Sequence, residues 1–158
     1  MKKLDSTFID GEGRPAQKIL RYRRDDSTQA WTFLNVWTQV RTETAAYRTE
    51  ENVIFHRLSF PVVAETVWNG NDSNTEDEEY YSYEDIHVAK TIENTALDST
   101  ISVLQHDENN FVERIYGYEI YAWNIGLVFR ERDDLRKIGG QVVFGTEFKM
   151  SMHTHGTE

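Results

Sequence analysis

The chain has 158 residues, with 27 acidic against 17 basic side chains for a formal charge of −10, and it contains no cysteine. That balance disfavours nucleic acid, where affinity comes mainly from Lys and Arg neutralising phosphates, and it disfavours docking on an anionic membrane surface. Without a thiol, disulfides, zinc–thiolate sites, iron–sulfur clusters and cysteine nucleophiles are excluded.

The length suits a single domain over residues 1–158, and 8 Tyr, 8 Phe and 4 Trp argue against disorder. No apolar run is long enough to cross a bilayer as a helix. The first residues, Met1-Lys2-Lys3-Leu4-Asp5, resemble the start of a signal peptide but lack its apolar core.

Leu4 to Ile9 is a short strand that ends at the turn Asp10-Gly11-Glu12-Gly13. Ala16 to Arg24 follows as a basic strand with no purely apolar face, which places it at or near a sheet edge. Trp31 to Arg41 is stronger. Strict alternation puts Leu34, Val36 and Val40 on one side and Trp31, Phe33 and Trp37 on the other. A strand apolar on both sides is covered on both sides, by the protein's own layers or by a ligand or partner.

Thr44 to Glu50 is either a short strand or a turn of helix, and Val53 to Phe60 is a strand stopped by Pro61. Val62 to Trp68 is a weak strand. Asn69 to Glu79 carries no apolar residue and is a long exposed loop. Glu79 to Lys90 resumes as a strand with Tyr81 and Tyr83 together, and Leu97 to Gln105 returns after a turn near Asn94.

The densest apolar stretch is Tyr116 to Arg132, interrupted at Asn124-Ile125-Gly126. Asn and Gly accept positive φ cheaply, so the pattern predicts a strand, a reversal and a second strand. Phe111 to Trp123 fits a helical stripe as well as a strand. Gly117 costs a helix about 1 kcal/mol, and the Tyr and Ile content favours the strand. Asp133 to Gly140 is expected to be a loop. Val142 to Met152 alternates most cleanly, with Val142, Phe144, Phe148, Met150 and Met152 on a face expected to be half-buried.

Together these segments predict an all-β fold: a single antiparallel, strongly curved sheet or partly closed barrel of about nine strands, with at most one or two short helical turns.

Chemistry-bearing motifs are scarce. There is no nucleophile elbow, phosphate-binding loop or dinucleotide fingerprint. The histidines at 56, 87, 106, 153 and 155 are scattered, and the turn near Asn94 is out of register for pairing His87 with His106. Asp72, Glu76, Asp77 and Glu79 lack the spacing of an EF-hand loop. No catalytic residue, metal site or cofactor is expected.

Tyr121-Ala122-Trp123-Asn124-Ile125-Gly126-Leu127-Val128 resembles a signature near the C-terminus of uncharacterised bacterial cell-envelope lipoproteins. Asp5-Ser6-Thr7-Phe8, Ile19-Leu20-Arg21-Tyr22, Glu50-Glu51-Asn52 and Trp68-Asn69-Gly70-Asn71 are similar to segments of the same group. The resemblance implies export, removal of a signal peptide and lipid attachment at an N-terminal Cys, neither of which this chain carries. It implies no catalytic residues. Three Asp-Ser-Thr triplets, starting at Asp5, Asp26 and Asp98, resemble O-glycosylation acceptors of some envelope proteins and are equally ordinary turn chemistry.

The expectation is therefore a lipid-anchored envelope domain (periplasm or outer-membrane surface) that binds a small molecule, glycan or protein partner, rather than an enzyme. The alternatives are a purely structural or assembly module, and a hydrolase. Trp31, Phe33 and Trp37, with Tyr81, Tyr83, Tyr118 and Trp123, are the expected ligand-binding residues, since aromatic platforms suit sugars, acyl chains or peptide side chains.

Overall fold

The computed structural model describes residues 1–156 and is all-β, with no helix among them. Eleven strands follow in chain order: β1 Lys2–Ile9, β2 Pro15–Arg23, β3 Thr32–Arg41, β4 Ala45–Glu50, β5 Val53–Ser59, β6 Val67–Asn69, β7 Tyr80–Ile92, β8 Thr95–Asn109, β9 Glu113–Ala122, β10 Gly126–Ile138 and β11 Gln141–Ser151. The all-β class agrees with the period-two patterning.

The strands form two antiparallel sheets, β1-β2-β3-β4-β5 and β11-β10-β9-β8-β7-β6, each with sequential strands side by side. The expected single sheet is thus corrected to two, and neither closes into a barrel. Pro61 offers no N–H to extend the ladder of β5, and the chain begins its second sheet just beyond it. The first compact unit comprises Met1–Pro61 with Gly70–Glu78, and the second Val62–Asn69 with Glu79–Glu158.

Turn chemistry closes the hairpins. Glu51 and Asn52, both at positive φ (49° and 68°), join β4 to β5 in two residues, the geometry that matches strand twist. Gly139 and Gly140 (59° and 82°) do the same between β10 and β11. Strand β10 therefore runs on to Ile138, where a loop was expected, because its partner needs only this tight reversal. Asn124 and Gly126, at φ 60° and 94°, reverse β9 into β10 as the sequence suggests.

Several strands carry an extra residue, among them β3, β5, β8 and β10. Leu34 lies between the pairs Arg21–Asn35 and Tyr22–Phe33, and Arg57 between Tyr47–His56 and Ala46–Leu58. Gln105 lies between Leu104–Tyr118 and His106–Gly117, and Val128 between Leu127–Tyr121 and Phe129–Ile120. Each bulge exchanges the two faces of its strand beyond that point. Gly117 suits its place opposite the Gln105 bulge, where a Cβ would come within 3.0 Å of the Gln105 Cβ.

In the second unit Ile92, Leu97, Ile120, Ala122 and Val128 form a buried cluster, with Tyr118, Ile125, Phe129 and Met152 packed against it. The expected half-burial of the β11 apolar row holds only at its end: Met150 and Met152 are half-buried, whereas Phe144 is 67% and Phe148 46% exposed on this edge strand.

Candidate functional site

The bulge at Leu34 decides what the first unit presents to solvent. Strict alternation would place Phe33 and Trp37 together. With Leu34 inserted, Phe33 faces Tyr22, its ring edge-on at a centroid separation of 5.8 Å. Trp37 instead shares a face with Ile19 and Arg21. The expected three-residue aromatic face is therefore split.

On the Phe33 side lies an open apolar surface. Val36 stands opposite Leu20 and Phe33 opposite Tyr22, while Trp31 lies just before β3 with the Arg24 guanidinium 4.3 Å from its ring centroid. Exposures are 42% for Trp31, 55% for Phe33, 48% for Leu34 and 43% for Val36. Isolated exposed apolar side chains are ordinary. Four large ones within six consecutive positions are a patch of the kind that marks an interaction surface.

On the opposite side Trp37 is buried and held by charge. The cationic groups of Lys2, Arg21 and Arg48 lie 4.9, 3.7 and 5.4 Å from its ring centroid. Its indole N–H donates to Glu51 Oε1 at 3.3 Å, and the same oxygen accepts from Asn35. Glu50 Oε1 accepts from both Arg48 Nε at 2.7 Å and Arg57 Nη2 at 2.8 Å, and all three side chains are buried. Ion pairs removed from water hold only with such geometry, since desolvation otherwise exceeds the Coulomb gain.

The loop from Gly70 to Glu78 is anchored to this unit. Gly70 O accepts the His56 backbone N–H, Asn74 Nδ2 donates to Ile54 O, and Asn71 Nδ2 donates to Asp77 O. His56 Nδ1 lies 2.7 Å from Asp72 Oδ2, with the Tyr47 ring 4.9 Å from the imidazole. Burial and the Asp72 charge raise the Tyr47 phenol above its ordinary value. A His–carboxylate pair is the core of many catalytic triads, but His56 Nε2 is sealed from solvent.

In the second unit Tyr81 and Tyr83 are buried and pack on Trp68, with ring centroids 6.0 and 4.7 Å away. Tyr118 belongs to the flank of the buried cluster, edge-on to Phe129. Trp123 sits in the β9–β10 reversal and is 69% exposed. Of the seven expected ligand-binding residues, Trp31, Phe33 and Trp123 offer open surface, Tyr118 is half-buried, and Trp37, Tyr81 and Tyr83 are enclosed.

The residues that sequence inspection passed over are charged and inward-facing. Glu119 has no exposed surface; it accepts the Tyr121 hydroxyl and pairs with Arg130 Nε at 3.2 Å. Its signal was visible as the one carboxylate between Tyr116 and Trp123, inside the densest apolar run. Lys90 donates to Asp85 Oδ2 at 2.7 Å, Ser102 Oγ at 2.8 Å and Tyr118 Oη at 3.3 Å. The Lys90 hydrogen bond holds the Asp85 carboxyl below its ordinary range.

His87 bonds Ser99 and His106 bonds Glu79, so the two imidazoles serve different partners. Among the described residues no three metal-ligating side chains converge. Of the Asp-Ser-Thr triplets, the third has its Thr100 hydroxyl buried and bonded to Val88 O, and the second is an Asp26–Thr28 turn.

The fold and these side chains define an antiparallel all-β protein with an exposed apolar surface on its first sheet. Comparison with family models, curated proteins and solved structures finds no match.

Proposed function

We propose that the chain is a non-enzymatic binding module of the bacterial cell envelope that engages a partner protein through Trp31, Phe33, Leu34 and Val36. The observation that carries this is the exposure of all four, between 42% and 55%, on one short segment of β3 and its approach. Leaving that much apolar surface in water is costly at roughly 25 cal/mol per Å², and a partner that covers it recovers the cost.

Arg23 and Arg24 are exposed beside the patch, Arg24 lying against Trp31. A partner with an acidic rim around an apolar centre fits such a surface, since rim charges steer encounter and select the partner. The envelope setting and a lipid anchor rest on the resemblance of the Tyr121–Val128 hairpin and its companion segments to envelope lipoproteins. Catalysis is disfavoured by the sealed His56 Nε2 and the buried Glu119.

Native mass spectrometry of protein isolated from its own host, in wild-type form and as F33S/V36S, tests this proposal. A bound protein present with wild type and lost with the variant is expected. A wild-type spectrum showing the chain without a protein partner, or a partner retained by the variant, would overturn it. Fractionation of the same cells tests the setting, and a wholly cytosolic protein would refute it.

A further inference from the structure

The second unit carries a different surface, independent of the Trp31–Val36 patch. Strand β11 is an 11-residue edge with β10 on one side and, among the described residues, no strand paired on the other. Long, exposed edges with apolar side chains are templates for pairing with another chain, and soluble proteins normally blunt them. This one carries a single cation, Lys149, and exposes Phe144 and Phe148.

The direction of its free backbone groups follows from the ladder. Met152 N–H donates to Val128 O at 2.8 Å, and the register continues as Met150–Arg130, Phe148–Arg132 and Thr146–Asp134. Alternate residues of a strand direct their N–H and C=O to the same side. The even-numbered residues are thus bonded to β10, and Glu147, Lys149 and Ser151 direct theirs outward. An antiparallel neighbour must match outward-directed residues to outward-directed residues.

Charge selects among the registers that satisfy this. A two-fold axis at Glu147 or at Lys149 would set each of those residues against itself. An axis at Phe148 sets Glu147 against Lys149 of the second copy, and Lys149 against its Glu147. The same register brings the two Phe148 side chains together, flanked by Thr146 opposite Met150, on the face where the row is exposed.

Within the sheet Glu147 stands opposite Asp133, a like-charge neighbour, while Lys149 already bridges Glu131 at 2.9 Å. Among the described residues the sheet itself supplies no cation to Glu147.

We propose that β11 is a self-association edge. Two copies of this chain pair β11 to β11 antiparallel about a two-fold axis at Phe148, joining their six-stranded sheets into one continuous sheet. Such an isologous contact is self-complementary and closes at two copies.

Because the chain has no cysteine, Phe148→Cys introduces a single thiol. At a non-hydrogen-bonded two-fold pair the Cα atoms lie about 4.5 Å apart, within disulfide range. Mild oxidation is expected to link F148C into a covalent dimer much faster than V88C, which places its thiol on the exposed face of β7.

Sedimentation velocity over a concentration series is expected to show a wild-type dimer. E147K or K149E alone should weaken it about tenfold, from two cross-strand pairs turned repulsive, and the double exchange E147K/K149E should restore it. A wild-type monomer at every concentration overturns the proposal. So does F148C linking no faster than V88C, or a double exchange that leaves the dimer as weak as the single variants.

Discussion

Arg21 lays its guanidinium 3.7 Å from the centroid of the Trp37 ring, on the face of the first sheet opposite Phe33. The bulge at Leu34 creates that relationship. It turns one aromatic residue of β3 into a structural anchor and leaves another free at the surface, and the two should respond differently to truncation.

Trp37→Ala is expected to destabilise the protein by about 3–5 kcal/mol, the range for deleting a buried large aromatic. Phe33→Ala, at 55% exposure, should cost less than about 1 kcal/mol. Urea unfolding of both variants checks the pair. Equal losses would mean that Phe33 and Trp37 share one enclosed face after all.

Glu50 holds two buried guanidiniums with one oxygen. Glu50→Ala leaves Arg48 and Arg57 without that counter-charge in a dry site, and a loss of about 3–5 kcal/mol is expected. Glu50→Gln keeps the volume and one acceptor and should recover part of it. Thermal unfolding of the two variants measures the difference.

The Asp85–Lys90 pair makes stability depend on pH at both ends. The Asp85 carboxyl is depressed by its Lys90 hydrogen bond, so its contribution is present above the unfolded carboxylate pKa of about 4 and is lost as pH falls through the lower folded value. For Lys90, burial pulls the ammonium pKa down, but the bonds to Asp85 and Tyr118 outweigh it and the net shift is upward. That contribution is complete below the unfolded lysine pKa of about 10.4 and disappears as pH rises through the higher folded value. Lys90→Met should flatten both limbs of a stability–pH curve measured by chemical denaturation. The Asp85 side chain is 44% exposed, so the acid limb is shallow.

Gly145 has φ 142°, and a Cβ there would collide with the backbone carbonyl of Asp134. Gly145→Ala is expected to cost at least about 1–3 kcal/mol and to loosen the β10–β11 ladder first. Amide exchange should accelerate at Leu135 and its neighbours, while the amides of β2 and β3 keep their protection.

Alternation of side chains made the sheet class legible, because burial on one face imposes period two wherever a strand runs uninterrupted. Asn124, Gly126 and Pro61 likewise announced their breaks through backbone chemistry. The single-residue insertions at Leu34, Arg57, Gln105 and Val128 left no such mark. None is Gly or Pro, and each exchanges the faces beyond it without altering composition. That is why Trp31, Phe33 and Trp37 looked like one surface.

Charged inward groups were hidden for a related reason. Arg48 and Glu50 alternate with Tyr47 and Thr49 as a solvated strand would, and only the fold shows which side is dry. The β11 row misled in the opposite sense. Its pattern reports a face built to be covered, yet only Met150 and Met152 are half-buried while Phe144 and Phe148 stay exposed.

The segment 70–78 belongs to the first unit although residues 62–69 of the second precede it in the chain. No one cut therefore yields the first unit whole. A fragment ending at Pro61 would lack Asp72 beside His56 and Asn74 beneath Ile54. Anyone dividing this protein for expression would need to graft the 70–78 segment back, or circularly permute the chain, to obtain an intact first half.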